Sequence, residues 1–122
     1  MLLQNDLPSQ TRPKIVVKEK SISRIIYTDD ITHLVCDCYI TTVHLIDKTT
    51  ITVSKLLKYF EEELAPLGFV RANHNTLVNI HRIEAVRTFK GIKYIHIGSA
   101  TIKVSRRKIC LFKSILLVTH SQ

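Results

Sequence analysis

Several residue types are scarce in this chain of 122 residues, and each scarcity excludes a class of protein. Three glycines and three prolines are too few for a collagen-like or low-complexity chain. Three cysteines make an odd number without framework spacing, which argues against a secreted disulfide scaffold and favours a reducing, cytoplasmic compartment. No apolar run reaches the roughly 18 to 20 residues that a bilayer-spanning helix needs, and no signal peptide is visible. We therefore expect one globular domain without a membrane partner.

Acidic residues are nearly missing from the second half of the chain. Residues 1–70 carry eight basic and nine acidic side chains, for a net charge of −1. Residues 71–122 carry ten basic side chains and one acid, Glu84, for +9, which gives +8 for the whole chain. This asymmetry is typical of a protein that binds a polyanion, with nucleic acid first and an anionic membrane second. A basic surface kept for solubility is the alternative explanation.

Sequence motifs for catalysis and metal binding are also missing. The sequence contains no GxSxG, no HExxH and no phosphate-cradling glycine loop, and residues 61–63 are a glutamate run on one helix surface. Cys36 and Cys38, with His33 and His44 nearby, have the residue types of a zinc site, but His33 falls on the opposite face of a strand from the cysteines. We therefore expect no enzyme activity, no metal and no cofactor, and we interpret the cysteines as small buried hydrophobes.

Short runs of β-branched residues, separated by polar pairs, predict a mainly β protein. Residues 1–13 are polar, contain two prolines and predict a flexible tail or linker before a domain of residues 14–122. We predict strands over residues 14–18, 23–27, 34–40, 42–46, 49–53, 83–89, 92–97 and 100–104. Turns are predicted at Asp29-Asp30, Asp47-Lys48, Lys90-Gly91 and Gly98-Ser99.

One segment has helical rather than strand periodicity. Leu57, Phe60 and Leu64 recur at helical spacing and predict an amphipathic helix over about residues 54–65, with Ser54 as its N-cap. Its first turn carries lysines, which the helix macrodipole disfavours, so packing of the apolar face must outweigh that cost. Apolar residues after the last strand also have helical spacing and predict a C-terminal helix.

Two polar segments carry candidate nucleic-acid contacts. Ser105–Lys108 places three cations in sequence where a strand ends, and neighbouring cations repel each other unless an anion such as phosphate neutralises them. The alternative is a solvated start of a helix. Between Phe69 and Ile83, Arg71, Asn73 and His74 offer donors and acceptors, and the forked ends of Asn and Arg match base edges in the major groove. The other asparagines of this segment, Asn75 and Asn79, are interpreted as local caps or turn formers.

The two segments resemble the sequence pattern of the LytTR family of bacterial DNA-binding domains. The matching residues are Phe69, Arg71, Leu77, Val78, Asn79 and Ile83, followed by Val104-Ser105-Arg106-Arg107. The resemblance covers about residues 14–117, and Cys38-Tyr39-Ile40 stand where the family often has an Asn-Tyr-Val-like strand start. The family's usual His-Arg-Ser is replaced by Asn73-His74-Asn75, and its aromatic by Thr76. These departures bear on the DNA sequence that is read rather than on the fold.

The resemblance implies a fold and a set of contact residues. The fold is an elongated stack of short antiparallel β-sheets, whose loops on one edge enter successive major grooves of duplex DNA. The residues at base-contacting positions are Tyr39, His74 and Arg107. The residues at phosphate-binding or supporting positions are Arg71, Asn73, Arg106 and Lys108.

The implied function is sequence-specific regulation of transcription, as the output domain of a response regulator in a two-component system. A receiver domain or sensor kinase would then act upstream, and two copies would bind paired half-sites. Thirteen residues before the domain cannot hold a receiver, so we expect a freestanding regulator or a separated output domain. The alternatives are a basic protein-interaction domain and an RNA-binding β module. The RNA module would need exposed aromatic side chains for stacking, with Tyr39, Phe69, Phe89 and Tyr94 as candidates.

Overall fold

A computed structural model describes residues 12–109 and residue 112. Within these residues the chain forms ten β-strands in antiparallel sheets and one α-helix, which confirms the mainly β fold class. No helix in the described residues is long and apolar enough to cross a membrane. The elements are β1 (Lys14–Glu19), β2 (Ile22–Tyr27), β3 (Ile31–Asp37), β4 (Ile40–Leu45), β5 (Thr50–Val53), α1 (Leu57–Leu64), β6 (Phe69–Asn73), β7 (Thr76–Asn79), β8 (Ala85–Phe89), β9 (Ile92–Ile97) and β10 (Ala100–Lys103).

A five-stranded sheet with the order β5-β4-β3-β7-β6 lies at the centre of the molecule. Strand β7 is buried at all four positions because both faces of the sheet are covered. Leu77 packs into one hydrophobic cluster and Val78 into the other, as the alternation of side chains along a strand requires. The Leu-Val-Asn motif therefore lies where the two halves of the core meet.

Smaller layers cover the two faces of the central sheet. The hairpin β1–β2 and helix α1 contribute to the first cluster, which contains Ile15, Val17, Ile26, Ile31, Leu34, Val43, Val53, Leu57, Phe60, Leu64, Phe69 and Leu77. The three-stranded sheet β10-β9-β8 contributes to the second, which contains Ala72, Val78, Ile95, Ile97, Ile102, Val104 and Phe112. The result is the stack of short antiparallel sheets that the family resemblance implies.

Helix α1 forms as predicted, but it begins later. Leu57, Phe60 and Leu64 are buried, so the helical spacing identifies the packed face correctly. The prediction of Ser54 as N-cap was wrong, because the helix is preceded by Leu56 in an extended conformation without a side-chain cap. The backbone before it is bound to the sheet instead, since the Thr41 hydroxyl donates to the carbonyl of Lys55.

The first of the two strands predicted over residues 34–40 and 42–46 ends earlier than predicted, because the turn between them lies at residues 38–39. Strand β3 ends at Asp37, a turn follows at Cys38 and Tyr39, and β4 begins at Ile40. Pairing of Asp37 with Ile40 leaves a two-residue hairpin loop in which Cys38 has a φ of 58°. The prediction failed because no glycine, asparagine or proline marks this turn. By contrast, turns do form at Lys90-Gly91 and Gly98-Ser99, as predicted.

Both predicted terminal features lie largely outside the described residues. Of the predicted tail, Arg12 and Pro13 are described, and both contact the segment that follows β2: the Arg12 guanidinium pairs with Asp29 and Asp30, and Pro13 accepts a backbone hydrogen bond from Thr28. The predicted C-terminal helix falls mostly on residues outside the described part of the chain.

Candidate nucleic-acid interface

Two hairpin turns lie side by side at one end of the strands of the central sheet. Strands β3 and β7 are neighbours, with Val35 opposite Thr76, and the Cys36 backbone N–H donates to the carbonyl of Asn75 at 2.9 Å. The β3–β4 turn and the β6–β7 turn therefore project in the same direction. The segment Phe69–Asn79 is mostly strand, so the loop that carries the family-like motif is reduced to His74 and Asn75.

A third segment, Ser105–Lys108, is joined to the end of β6. The Ser105 N–H donates to the carbonyl of Ala72 at 2.9 Å, and the Asn73 amide donates to the carbonyl of Lys103 at 2.7 Å. Arg106–Lys108 then form a single 3-10 turn. We name residues 38–39, 74–75 and 105–108 together the loop edge.

Clefts on both sides of the His74 turn connect the three segments of the loop edge. One cleft of about 450 Å³ has His74 on one side and Arg106 on the other, and is lined by Asn73, His74, Asn75, Gly91, Ile92, Lys103, Val104, Ser105, Arg106 and Ile109. A second, of about 440 Å³, lies between the Cys38 turn, the start of α1 and the His74 turn, and is lined by Cys36, Asp37, Cys38, Leu56, Leu57, Lys58, Arg71, His74 and Asn75.

Four of the predicted contact residues are exposed at the loop edge. Tyr39 is 76% exposed at the tip of its turn, and His74, Arg106 and Arg107 are exposed while Lys108 is half-buried. His74 and Arg106 share a cleft, whereas Tyr39 and Arg107 line neither of the two clefts just described. The structure thus brings His74 and Arg106 together at one cleft.

Arg71 is engaged inside the protein. Its Nε donates to Glu61 Oε1 of helix α1 at 3.0 Å, and its Nη1 donates to the backbone carbonyl of His74. The side chain is only 20% exposed. Arg71 therefore ties the His74 turn to the helix.

The asparagines of this segment also hold the backbone. Besides its bond to the β10 end, Asn73 accepts a hydrogen bond from the Asn75 N–H at 3.0 Å. Asn79, which is buried, accepts from the His81 N–H at 3.0 Å and donates to the carbonyl of Ile31 at 2.9 Å. The interpretation of Asn79 as a local cap is confirmed. The Asn73 bonds tie the His74 turn to β10, while the Asn79 bonds hold the other end of β7.

The cations of the loop edge lack acidic partners within the described part of the chain. The ion pairs among residues 12–109 involve Arg12, Arg24 and Arg71, and none of them involves a residue of Ser105–Lys108. Asp37 is the one carboxylate that lines either cleft. Cations left unpaired on a shared edge produce a positive potential that an anionic polymer can neutralise.

Two residues that line the clefts, Lys58 and Gly91, lie outside the two motif segments. Lys58, in the first turn of α1, lies in the cleft beside the Cys38 turn, and Gly91, at the β8–β9 turn, lies in the cleft beside Arg106. A lysine at the positive end of a helix dipole is a signal that could have identified Lys58, since a nearby anion would remove the unfavourable interaction.

The His and Cys residues near β3 and β4 do not converge on a shared centre. The rings of His33 and His44 stack in parallel with centroids 4.2 Å apart, and burial, with His44 nearby, lowers the pKa of His33 to about 4. Among the described residues, no cluster of three or more His, Cys, Asp or Glu side chains could hold a metal ion. The interpretation of the cysteines as buried was wrong for Cys38, which is exposed at its turn, and Cys36 is only half-buried.

The aromatic residues that an RNA-binding module would use are divided between core and surface. Phe69 is buried in the first core cluster and Tyr94 is half-buried. Tyr39 and Phe89 are exposed, but on separate elements. The loop edge therefore presents a single exposed aromatic side chain, Tyr39, among its described residues.

Comparisons with known proteins agree with the fold and the motifs. The family model for the LytTr DNA-binding domain matches residues 21–117. Among solved structures, one similar chain is the LytTr DNA-binding domain of a Bacillus cereus protein described as a methyl-accepting/DNA response regulator. It aligns with a TM-score of 0.72 at 18% sequence identity and covers 87% of this chain and 98% of that chain. The comparison with curated proteins finds no match. With most of its length matched by the family model, the chain belongs to the LytTR family of DNA-binding domains.

Proposed function

We propose that this chain is a sequence-specific regulator of transcription that binds duplex DNA through the loop edge and performs no chemistry. The observation that carries the proposal is the cleft that His74 shares with Arg106, beside the cations of Ser105–Lys108, which form no ion pair with the described residues. Neighbouring strands lie about 4.8 Å apart, so the β3–β4 and β6–β7 turns are separated by about 10 Å, or roughly three base-pair steps. Side chains at this spacing suit successive contacts along a duplex.

We assign base contacts in the major groove to Tyr39, His74 and Arg106. The resemblance implies Arg107 as the base reader and Arg106 as a phosphate ligand. The cleft shared with His74 supports the reverse assignment, with Arg107 and Lys108 binding phosphates. Arg71 and Asn73 act as positioning residues, because their donors are occupied by Glu61 and by backbone carbonyls.

The wider context follows the family. The chain would act in the bacterial cytoplasm, as the output part of a two-component response regulator whose receiver domain or sensor kinase supplies the signal. Two copies would occupy paired half-sites on the DNA. Sedimentation of the protein with a duplex that carries one or two half-sites tests this stoichiometry, and one copy on both duplexes would contradict it.

A matched pair of variants tests the base-reading assignment. A site is first selected from random duplexes, and anisotropy then measures the binding of Arg106→Ala and Arg107→Ala to that site and to a scrambled duplex. Loss of a bidentate base contact costs about 1–3 kcal/mol of discrimination, so Arg106→Ala should bind the selected site roughly 5- to 150-fold more weakly and lose little on the scrambled duplex. Arg107→Ala should weaken binding to the selected and to the scrambled duplex by an equal factor.

If Arg107→Ala loses affinity mainly for the selected site and Arg106→Ala loses it equally on both duplexes, the assignment implied by the resemblance is correct. Equal losses on both duplexes for both variants would show that neither arginine reads a base.

Single-stranded RNA serves as competitor in the same assay, and displacement of duplex by RNA at equal concentration would favour the RNA-binding alternative. If added duplex changes neither the elution nor the stability of the protein, the protein-interaction alternative is favoured.

A further inference from the structure

A second cationic surface lies on the outer face of the three-stranded sheet, away from its buried side. Cross-strand pairing places Tyr94 between Arg87 and Lys103, so these side chains form one row across the sheet. The opposite face carries Ile95, which is buried in the second core cluster. The row therefore points to solvent by the alternation of the strands.

An exposed phenylalanine organises two of the cations on this face. Phe89 is 51% exposed, with Lys90 Nζ 5.3 Å from its ring centroid and Arg87 Cζ 6.0 Å from it. At these distances the ring attracts both cations and restrains them, while their N–H donors stay available to solvent. A phenylalanine with about half of its surface exposed and two cations near its ring is poorly explained by packing alone.

Among the described residues, no carboxylate forms an ion pair with these cations. Residues 85–103 contain four Lys and Arg residues and no Asp or Glu. None of the four forms an ion pair with a described residue. Lys93 donates instead to the hydroxyl of Thr88 at 2.9 Å.

The surface is continuous with the loop edge. Lys103 and Gly91 belong to the three-stranded sheet and its first turn, and they also line the cleft that contains His74 and Arg106. A duplex that contacts Arg106 therefore passes the end of the sheet where Phe89, Lys90 and Lys103 lie.

We propose that Arg87, Phe89, Lys90, Tyr94 and Lys103, which we name the flank face, bind the phosphate backbone of the DNA that extends beyond the site read by the loop edge. This proposal rests on the proposed function. Backbone phosphates fit better than bases, because residues 85–103 offer cations but no Asn or Gln amide, and two of the cations lie close to the Phe89 ring. The contact adds affinity and salt dependence without sequence preference.

Lys90→Gln tests the flank face, with Lys48→Gln as its control. Both lysines are exposed, and both occupy turns with positive φ, 52° at Lys90 and 74° at Lys48. The two substitutions therefore each remove one positive charge at a position with positive φ. Lys48 follows β4, at the end of the strands that lies opposite the loop edge. Binding is measured by anisotropy on the selected site alone and on the same site lengthened by about ten base pairs at each end.

We expect the unchanged protein to bind the longer duplex more tightly. At 0.1 M salt, Lys90→Gln should bind the longer duplex roughly eightfold more weakly than the unchanged protein does, because one phosphate contact releases about 0.9 counterion. Its salt slope should fall by about 0.9 and its affinity for the short duplex should stay unchanged. Lys48→Gln should match the unchanged protein on both duplexes.

Three results would overturn the flank face. Equal behaviour of the two lysine variants would show that Lys90 does not contact DNA. An equal loss for Lys90→Gln on both duplexes would place Lys90 at the read site instead of beyond it. An unchanged protein that binds both lengths equally well would show that flanking DNA is not contacted. Failure of the unchanged protein to bind any selected duplex would instead refute the proposed function itself.

Discussion

Removal of Glu61 tests how the His74 turn is held in place. In the folded protein Arg71 donates to the Glu61 carboxylate at 3.0 Å and to the His74 carbonyl, so the helix and the turn share one guanidinium. Glu61→Ala leaves Arg71 with a single acceptor. We expect the turn to become mobile, because the guanidinium that holds its backbone is no longer oriented by the helix.

For Glu61→Ala, the loss of charge and the loss of positioning predict opposite changes in the affinity for DNA. Loss of a negative charge on its own should strengthen binding to DNA, by less than about 1 kcal/mol for the partly exposed Glu61 carboxylate. Ordering the backbone of one residue costs about 1–2 kcal/mol, and the variant would meet this cost when it binds. If two residues of the turn, His74 and Asn75, are released, positioning outweighs charge. The two residues together cost about 2–4 kcal/mol, so after the opposing charge effect we expect binding to weaken by at least about 1 kcal/mol, or more than about fivefold.

Glu62→Ala is the matched control for this experiment. Glu62 is exposed on the same helix, so its substitution makes the same change of charge and of helix propensity without touching Arg71. Anisotropy on the selected duplex should show weaker binding for Glu61→Ala and equal or slightly tighter binding for Glu62→Ala. If both variants bind more tightly to the same extent, Arg71 does not position the turn.

Two further predictions concern stability. Because burial lowers the pKa of His33 from 6.5 to about 4, the unfolded chain takes up a proton before the folded one. The free energy of unfolding should therefore be highest above pH 6.5 and should fall by about 3 kcal/mol as the pH drops to about 4. Urea titrations across this range should give a flatter profile for His33→Gln, and an unchanged slope would contradict the assignment. Gly68→Ala should destabilise more than Gly98→Ala. Both glycines have positive φ, but a Cβ at Gly68 would lie 2.7 Å from His81 Nε2 whereas one at Gly98 meets nothing within 4 Å. Equal urea midpoints for the two variants would show that His81 moves aside freely.

Local signals predicted much of the fold and part of the candidate site. Helical spacing identified the buried face of α1, and polar or glycine-containing pairs identified the turns at residues 90–91 and 98–99. The turn at Cys38 was missed because its residues carry no turn signal, and the pairing of β3 with β4 imposes the positive φ. The helix start was misplaced because Lys55 is bonded to Thr41 of a distant strand.

The sequence by itself determined the β-rich fold class, the position of the helix and the family, since alternation, helical spacing and two short motifs are properties of neighbours along the chain. The tertiary structure alone decided which polar side chains remain available to a ligand. Arg71 and Asn73 have the chemistry of DNA contacts, yet Glu61 and the Lys103 carbonyl occupy their donors. Those partners lie 10 and 30 residues away in the chain, and only the packing of α1 and β10 against β6 brings them within hydrogen-bond distance.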